Sequence, residues 1–440
     1  MRIGLFTDTY YPAMNGIVNV VDITRRELEE AGHDVYIFCP GVRSDTITKY
    51  DDKVIRFPSV PSGLFEDNRI SMFFPMSVMR KIRKLHLDVI HFFTPLQVGM
   101  MGVYAAQRTG AVLVGQHCTD FHQYVEHYPQ VLPGLLLLGT TLPFTVKFNG
   151  EDIRTMLSMY RPHRGPTQWN RGIVEKSMAL IYSRCDAVIA LSKKSKKQLE
   201  SWRGEYDYDV TLMPTGVDAL PRPTRQDKNM FYETFGFSPD DEVFGYVGRL
   251  AEEKNLDLLI DAMKYIAPRR KRAKLLFVGD FGYRETLERL AEESGYGDRI
   301  IFTGRMLRNE LGVAYETMNV FAFPSMTDTQ GLAIHEAALA GCPLILVDKD
   351  LSEVFEPGVN GLSANPNGTS IGRKIIDILK SKKKQTEFGK ESRRLARQFS
   401  EEKQVAKQIQ LYKDLMDKPR RAVPKPKPRR RLLDRYLGDE

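Results

Sequence analysis

Cysteine is scarce in this 440-residue chain: Cys39, Cys118, Cys185 and Cys342 lie far apart, with no C-x-x-C pair and no evenly spaced framework. That excludes a disulfide-stapled secreted scaffold and fits a reducing compartment. The chain does not open on a long apolar run. Met1-Arg-Ile-Gly-Leu-Phe enters polar Thr7-Asp8-Thr9 at once, too soon for a signal peptide, so the cytoplasm is the expected compartment. No G-x-G-x-x-G follows the first apolar run and no G-x-x-x-x-G-K-[S/T] occurs anywhere, so hydride-transfer enzymes and P-loop NTPases lose their fingerprints. What is present is ordinary for a globular chain: 42% hydrophobic and 27% charged residues, which rules out collagen-like and wholly disordered classes. At roughly 100–200 residues per domain, about two to four domains are expected.

Acids are missing from residues 418–431, which carry Lys418, Arg420, Arg421, Lys425, Lys427, Arg429, Arg430 and Arg431. Those eight cations equal the whole formal net charge of +8. Interleaved prolines forbid a helix and like charges repel, so the segment predicts an extended, solvated tail. It is either a solubilising appendage or a patch drawn to anionic lipid headgroups. Nucleic acid is not expected as a partner, because no interleaved aromatics or nucleic-acid motif accompany the charge.

Along the body, short apolar runs alternate with amphipathic stretches. Arg2–Thr7, a helical spacing over Val18–Ala31 and Asp34–Phe38 form a βαβ opening. Further strands are expected at Val54–Phe57, Asp88–Phe92, Ala111–Gly115, Ala187–Ala190 and Val210–Met213, with a basic helix at Met76–Leu85. The second half repeats the pattern, with strands at Val243–Val247, Lys274–Val278, Arg299–Phe302, Val320–Phe323 and Pro343–Val347. Its helices fall near 256–266, 283–294, 308–318 and 332–340. Continuous apolar strands separated by helices imply parallel sheets covered on both faces. The proline-rich stretch Pro214–Lys228 reads as a hinge between two doubly wound domains, and a last helix is expected at 400–417.

Two loops carry chemistry. After Val247 comes Gly248-Arg249-Leu250-Ala-Glu-Glu-Lys254, with two cations in a strand-to-helix loop of the kind that stabilises a departing diphosphate. Read alone, the same spacing also suits a solvated cation pair. After Phe323 comes Pro324-Ser-Met-Thr-Asp328-Thr329-Gln330-Gly331-Leu332-Ala-Ile-His-Glu336. There Gly331 would let a backbone approach a ligand, and Glu336, one turn into a helix, could accept both hydroxyls of a ribose or simply compensate the helix dipole.

G-R-L-x-x-x-K at 248–254, F-T-G-R at 302–305 and F-P-S-x-T-D-T-Q-G-L-x-x-x-E-A-x-L-A-G-C-P at 323–343 together resemble glycosyltransferase family four. That family comprises retaining nucleotide-sugar transferases of GT-B architecture, two Rossmann-like α/β domains facing a central cleft. Tyr11-Pro12, Asn15-Gly16, Asp88-Val-Ile-His91, Asp186–Ser192 and Pro214-Thr-Gly-Val-Asp218 extend the likeness over nearly the whole chain. The resemblance implies an acceptor-side domain at 1–220 with an insertion at about 128–170, a donor domain at 221–398, a helix at 399–417 that packs back on the first domain, and the tail at 418–440. It implies that Gly248, Arg249 and Lys254 meet the diphosphate, that Asp328, Thr329, Gln330, Gly331 and Leu332 hold sugar and phosphates, and that Glu336 takes the ribose. Gly304, Arg305 and Met306 would approach the base, and Gly16 would open the first-domain side. His117, Arg249, Lys254 and Asp328 form the implied catalytic set.

Two positions depart from the family pattern. Asp328 stands where the family's E-x7-E begins with Glu, and Gln116-His117-Cys118-Thr119 needs a one-residue shift to put His117 at the sugar-contacting histidine. His117, His122 and His127 do not make a metal site, since five-residue spacing turns each about 140° round a helix. The family implies no metal or organic cofactor; the donor itself is a UDP- or GDP-linked hexose.

The Asn15-Gly16 and T-D-T-Q-G-L variants look most like the branch that glycosylates diacylglycerol and other membrane lipids. A soluble acceptor, or a catalytically lapsed nucleotide-sugar-binding scaffold, is the alternative. The apolar stretch 131–148, broken by Pro133, Gly134, Gly139 and Pro143, is unsuited to span a bilayer; it could dip into an interface or form buried helices. Residues 72–84 pair apolar and basic residues as an interfacial helix does, or as a solvated helix face does. The implied place of work is the inner face of the cell membrane, as a peripheral protein.

Overall fold

The computed structural model describes residues 1–13, 15–42, 51–61, 69–71, 76–120, 166–204 and 206–418. The stretch 131–148, residues 72–75, His122, His127 and the tail beyond Lys418 lie outside the described residues. The chain forms two compact units: Met1–Ala190 with Lys196–Thr211 and the chain from Ile409 on, and Leu191–Ser195 with Leu212–Gln408.

In the first unit, β1 (Arg2–Phe6) leads through α1 (Gly16–Glu30) to β2 (Asp34–Pro40) and β3 (Val54–Phe57). Asn15 caps α1, its Oδ1 accepting from the Ile17 and Val18 amides, while Val18, Val21 and Leu28 bury the inner face. A short antiparallel hairpin, β4 (Ser59–Pro61) with β5 (Arg69–Ser71), follows. Then come α2 (Met76–Leu85), β6 (Val89–Phe92), α3 (Gln97–Thr109), β7 (Val112–His117), α4 (Pro166–Tyr182), β8 (Ala187–Ala190), α5 (Lys193–Trp202), whose residues up to Ser195 belong to the second unit, and β9 (Val210–Leu212), whose last residue does too. The sheet order is β3-β2-β1-β6-β7-β8-β9, and neighbouring strands of this sheet from β3 through β2, β1, β6 and β7 to β8 all pair in parallel. Phe6 stacks on Phe38 at 4.3 Å in a core that also takes Phe92, Tyr182 and Trp202. In α2 the apolar Met79 and Ile82 are buried, and Arg80, Lys81, Arg83 and Lys84 are all exposed. The basic face is therefore real, but those two apolar residues are spent on the core.

The second unit contains α6 (Arg225–Phe235), β10 (Glu242–Val247), α7 (Asp257–Ile266), β11 (Ala273–Val278), α8 (Arg284–Glu293), β12 (Ile300–Phe302), α9 (Leu311–Thr317) and β13 (Val320–Phe323). It continues through α10 (Leu332–Ala340), β14 (Leu344–Leu346), β15 (Gly361–Ser363), α11 (Gly368–Leu379), α12 (Lys382–Ala396) and α13 (Glu401–Asp417), whose residues from Ile409 on belong to the first unit. Its parallel sheet runs β12-β11-β10-β13-β14-β15. Strand order reverses beside β1 in the first sheet and beside β10 in the second. Crevices at the carboxyl ends of strands flanking such a reversal are where open α/β sheets take ligands.

The stretch expected as a hinge is partly something else. Pro214–Val217 is buried, with the Thr215 backbone bonded to Gln330 and the Val217 amide donating to Phe399 O. Residues 225–228 are already helix, started by a capping box between Thr224 and Asp227. Prolines here shape an extended segment docked on the second unit, so that unit begins at Leu212 rather than after residue 220.

Candidate active site

Both motif loops of the second unit leave the carboxyl ends of neighbouring strands at the reversal, 248–254 from β10 and 324–331 from β13. Gly248, at φ +149°, turns the first loop away from β10, and a Cβ there would meet the Tyr246 hydroxyl at 2.6 Å. Arg249 is left partly exposed; its guanidinium lies 4.8 Å from the ring centroid of exposed Phe281, and Nη2 pairs with Glu253 Oε1 at 3.1 Å. Lys254 ends a 3-10 turn and is buried, its Nζ 2.8 Å from Asp328 Oδ1. The two loops are thus joined through the expected diphosphate cation and the variant aspartate.

Asp328 also accepts from Ser325 Oγ at 2.5 Å. Burial alone would push its carboxyl up, but the Lys254 ammonium, the Ser325 hydrogen bond and the Arg249 charge outweigh that and hold it below its ordinary range. An Asp at this position is therefore an ionised partner of Lys254. Gly331, at φ +70°, opens α10, and a Cβ there would lie 2.8 Å from Ile334 Cδ1. Leu332 follows, half-buried.

Gln330 is turned inward: its Oε1 accepts from the Thr215 amide at 2.9 Å and its Nε2 donates to Thr215 O at 2.8 Å. The side chain anchors the loop, and the donor contact expected there would fall to the backbone. Thr329 O accepts from Ser192 Oγ at 2.6 Å and Ser195 Oγ at 3.1 Å. Lys194 Nζ donates to Met326 O and, at 3.3 Å, to Asp328 O. Sequence reasoning missed these three residues. Their signal was the Ser192-Lys-Lys-Ser195 run after β8, which reads as an unremarkable polar helix start.

Glu336 is buried, Oε1 accepting from Arg308 Nη1 at 2.5 Å and Oε2 from the Tyr315 hydroxyl at 2.9 Å. Burial raises its carboxyl above the ordinary value, against the pull of Arg308 and Tyr315. Gly304, at φ +74°, follows β12 and its carbonyl accepts from the Gly279 amide; Arg305 is exposed and Met306 half-buried. A cavity of about 390 Å³, lined by Met326, Asp348, Lys349, Ser363 and Asn365 among others, opens at the carboxyl ends of β14 and β15.

In the first unit, Gly16 begins α1 with nothing within 4 Å of where a Cβ would stand, so the backbone there is open to approach. His117 closes β7 but has no exposed surface: Nδ1 is hydrogen-bonded to the Tyr182 hydroxyl at 2.9 Å, and the ring lies edge-on to Trp202. The next residue, Cys118, is half-buried, its thiol pushed up to about 12 by burial. The structure thus encloses the histidine that the sequence assigns to a sugar. Asp8, at the end of β1, accepts from Thr94 Oγ1 at 2.6 Å and the Val98 amide at 2.7 Å at the start of α3. Among the described residues, no three His, Cys, Asp or Glu side chains gather as a metal-ligand set, and no helix is long and apolar enough to cross a membrane.

Two doubly wound parallel sheets, with cations, an inward acid and a helix start meeting at a strand reversal, define a glycosyltransferase of GT-B architecture. The sucrose-phosphate synthase of Thermosynechococcus elongatus shares this fold at a TM-score of 0.67 and 19% identity, over 94% of this chain and 98% of that one. The family models "Glycosyltransferase Family 4" and "Glycosyl transferases group 1" match residues 14–219 and 228–395 in tandem. The chain belongs to glycosyltransferase family 4. It is similar to the alpha-monoglucosyldiacylglycerol synthase of Acholeplasma laidlawii, 26% identical over 95% of this chain and 98% of that protein. The synthase of the same name from Streptococcus pneumoniae is 26% identical over 78% and 70%.

Proposed function

We propose that the protein is a retaining hexosyltransferase that moves a hexose from a UDP- or GDP-linked donor to a membrane lipid such as diacylglycerol. The observation that carries this reading is the joining of the β10 and β13 loops through Lys254 and Asp328 beside the α10 start, with Arg249 exposed next to them. The two similar synthases, whose names specify diacylglycerol, support the lipid acceptor.

The diphosphate lies against Arg249, Lys254 and the free amides at the start of α10. As the glycosidic bond lengthens, charge builds on the phosphate oxygens that these groups already face. Asp328 keeps Lys254 in place and lies where the sugar is held. The departing phosphate assists removal of the acceptor proton on the face it leaves, so configuration is retained. No metal or organic cofactor enters this scheme. The exposed cations of α2, the apolar stretch 131–148 and the basic segment 418–431 bring the enzyme to an anionic membrane surface, on its cytoplasmic side.

The test is incubation with labelled UDP- and GDP-hexoses, with and without vesicles containing diacylglycerol. Label entering the lipid phase is expected. Transfer only to soluble sugars would replace the acceptor, and tight binding without turnover would leave a nucleotide-sugar-binding scaffold.

A further inference from the structure

Glu336 has both carboxylate oxygens occupied from its own unit, and the pattern is specific. A carboxylate offers about four lone-pair directions, two on each oxygen. Arg308, from the loop between β12 and α9, uses one on Oε1 at 2.5 Å, and Tyr315 of α9 uses one on Oε2 at 2.9 Å. The Tyr315 hydroxyl has a second acceptor in Ala333 O at 3.4 Å, but its single proton is better placed for the closer carboxylate. One acceptor direction then remains on each oxygen, which matches two adjacent hydroxyl donors.

Arg308 itself is tethered. Its side chain is 46% exposed, yet Nη2 also lies 3.9 Å from Glu401 Oε1 on α13. Glu401 in turn is fixed to the 214–218 segment, its Oε1 accepting from the Asp218 amide at 3.3 Å and its amide donating to Asp218 Oδ1 at 3.2 Å. The guanidinium thus spans two buried acids rather than hanging free in solvent.

We infer that Arg308, with Tyr315, is a positioning residue of the donor site: the pair fixes the Glu336 carboxylate so that its remaining acceptor directions receive the 2′- and 3′-hydroxyls of a ribonucleoside diphosphate. The inference rests on reading Glu336 as the ribose acceptor. It adds a specificity: the site prefers a ribonucleotide over its 2′-deoxy counterpart, and the preference depends on a residue outside the E-x7-E-like motif. A polar site built for a hydroxyl rejects the analogue lacking it because a buried acceptor is left unmet.

The experiment is calorimetric titration of the full-length wild type and of Arg308→Gln, Arg308→Lys and Tyr315→Phe with UDP, GDP and their 2′-deoxy analogues. In the wild type the nucleotide that binds should do so at least tenfold more tightly than its deoxy form, the order expected of one hydrogen bond to a charged group. Arg308→Gln should lose about tenfold for the ribonucleotide and less than about threefold for the deoxy form, collapsing the ratio, and Arg308→Lys should recover part of it. The deoxy ligand is the control for charge, since lost attraction to the phosphates would weaken both ligands equally. Tyr315→Phe should lower the ratio as well. Melting curves establish that each variant is folded. An unchanged ratio in Arg308→Gln, or an equal loss for both ligands, overturns the inference. A wild type that binds UDP or GDP without discrimination overturns it while leaving the donor site standing, and a wild type that binds neither nucleotide overturns both.

Discussion

Arg249 and Lys254 look alike in the sequence and stand in different physical situations. Arg249 is partly exposed, so solvent screens its pairing with the buried Glu253, and removing it costs the fold less than removing a buried cation. Lys254 is buried, and its loss leaves the Asp328 carboxylate, with only 22% of its side chain exposed, without its cation. Breaking a buried pair from one side costs about 3 kcal/mol or more. Both Arg249→Ala and Lys254→Ala should lower turnover by orders of magnitude, and Lys254→Ala should lower the melting temperature more than Arg249→Ala. Lys254 thus carries a structural weight that a solvated cation pair, the other reading of the spacing, would not have. Adding Asp328→Asn to Lys254→Ala should restore stability but not turnover. The pH dependence has a definite sign. The folded Asp328 carboxyl is held below its ordinary value of 3.8, so its stabilisation is present above about pH 4 and is lost as pH falls through the folded value. The stability gap between wild type and Lys254→Ala should therefore narrow as the pH falls below about 4. A constant gap would remove the pairing argument.

Elements with strong periodicity were readable. α2 and β13 fall at the expected residues because an amphipathic ten-residue pattern and the short apolar run at 320–323 each admit one reading. The β4–β5 hairpin was not readable, since three-residue strands carry no period, and α6 was hidden behind the prolines at 221 and 223. The loop geometry of the candidate site was legible where a residue stays near its own strand, as at Gly248 and Gly331. It was illegible where long side chains arrive from other elements, as with Lys194 and Arg308. The 214–218 motif gains its physical reason only in the fold: a Cβ on Gly216 would lie 2.5 Å from Glu401 Cα and from Ser400 O. Those are backbone atoms and cannot yield cheaply. The same helix is held at its other end by Tyr412, whose hydroxyl is hydrogen-bonded to His91 Nδ1 at 2.6 Å within the first unit. Gly216→Ala should therefore destabilise by about 1–3 kcal/mol and speed proteolytic release of α13. Gly282→Ala, where a Cβ meets nothing within 4 Å, should do neither. Equal melting temperatures and cleavage rates would show that α13 docks elsewhere.

At the scale of the whole molecule, a transferase with no membrane-crossing helix among its described residues would need another way to reach the lipid acceptor proposed for it. Cations stand without any acid among them at 418–431, where eight lie, and on α2, whose four are exposed. Each basic residue near an anionic bilayer contributes about 1 kcal/mol, so eight in one segment would be enough for the proposed recruitment, and the four on α2 would add to it. Such binding weakens steeply with salt, because exposed charges are screened beyond about 8–10 Å near physiological ionic strength. Truncation after Asp417 should cut flotation with anionic vesicles at low salt and lower transfer to diacylglycerol in those vesicles. Hydrolysis of the nucleotide sugar in solution should persist, because the tail follows both sheets in the chain and supplies none of the residues around Lys254, Asp328 and Glu336. If the apolar stretch 131–148 is the second anchor proposed above, salt would strengthen its contribution rather than weaken it. Flotation of full-length and truncated protein across a salt series separates the two: a salt-sensitive component lost on truncation belongs to the tail, and a salt-resistant component that survives truncation belongs to the apolar stretch. Equal flotation of both forms at low salt would reduce 418–431 to a solubilising appendage.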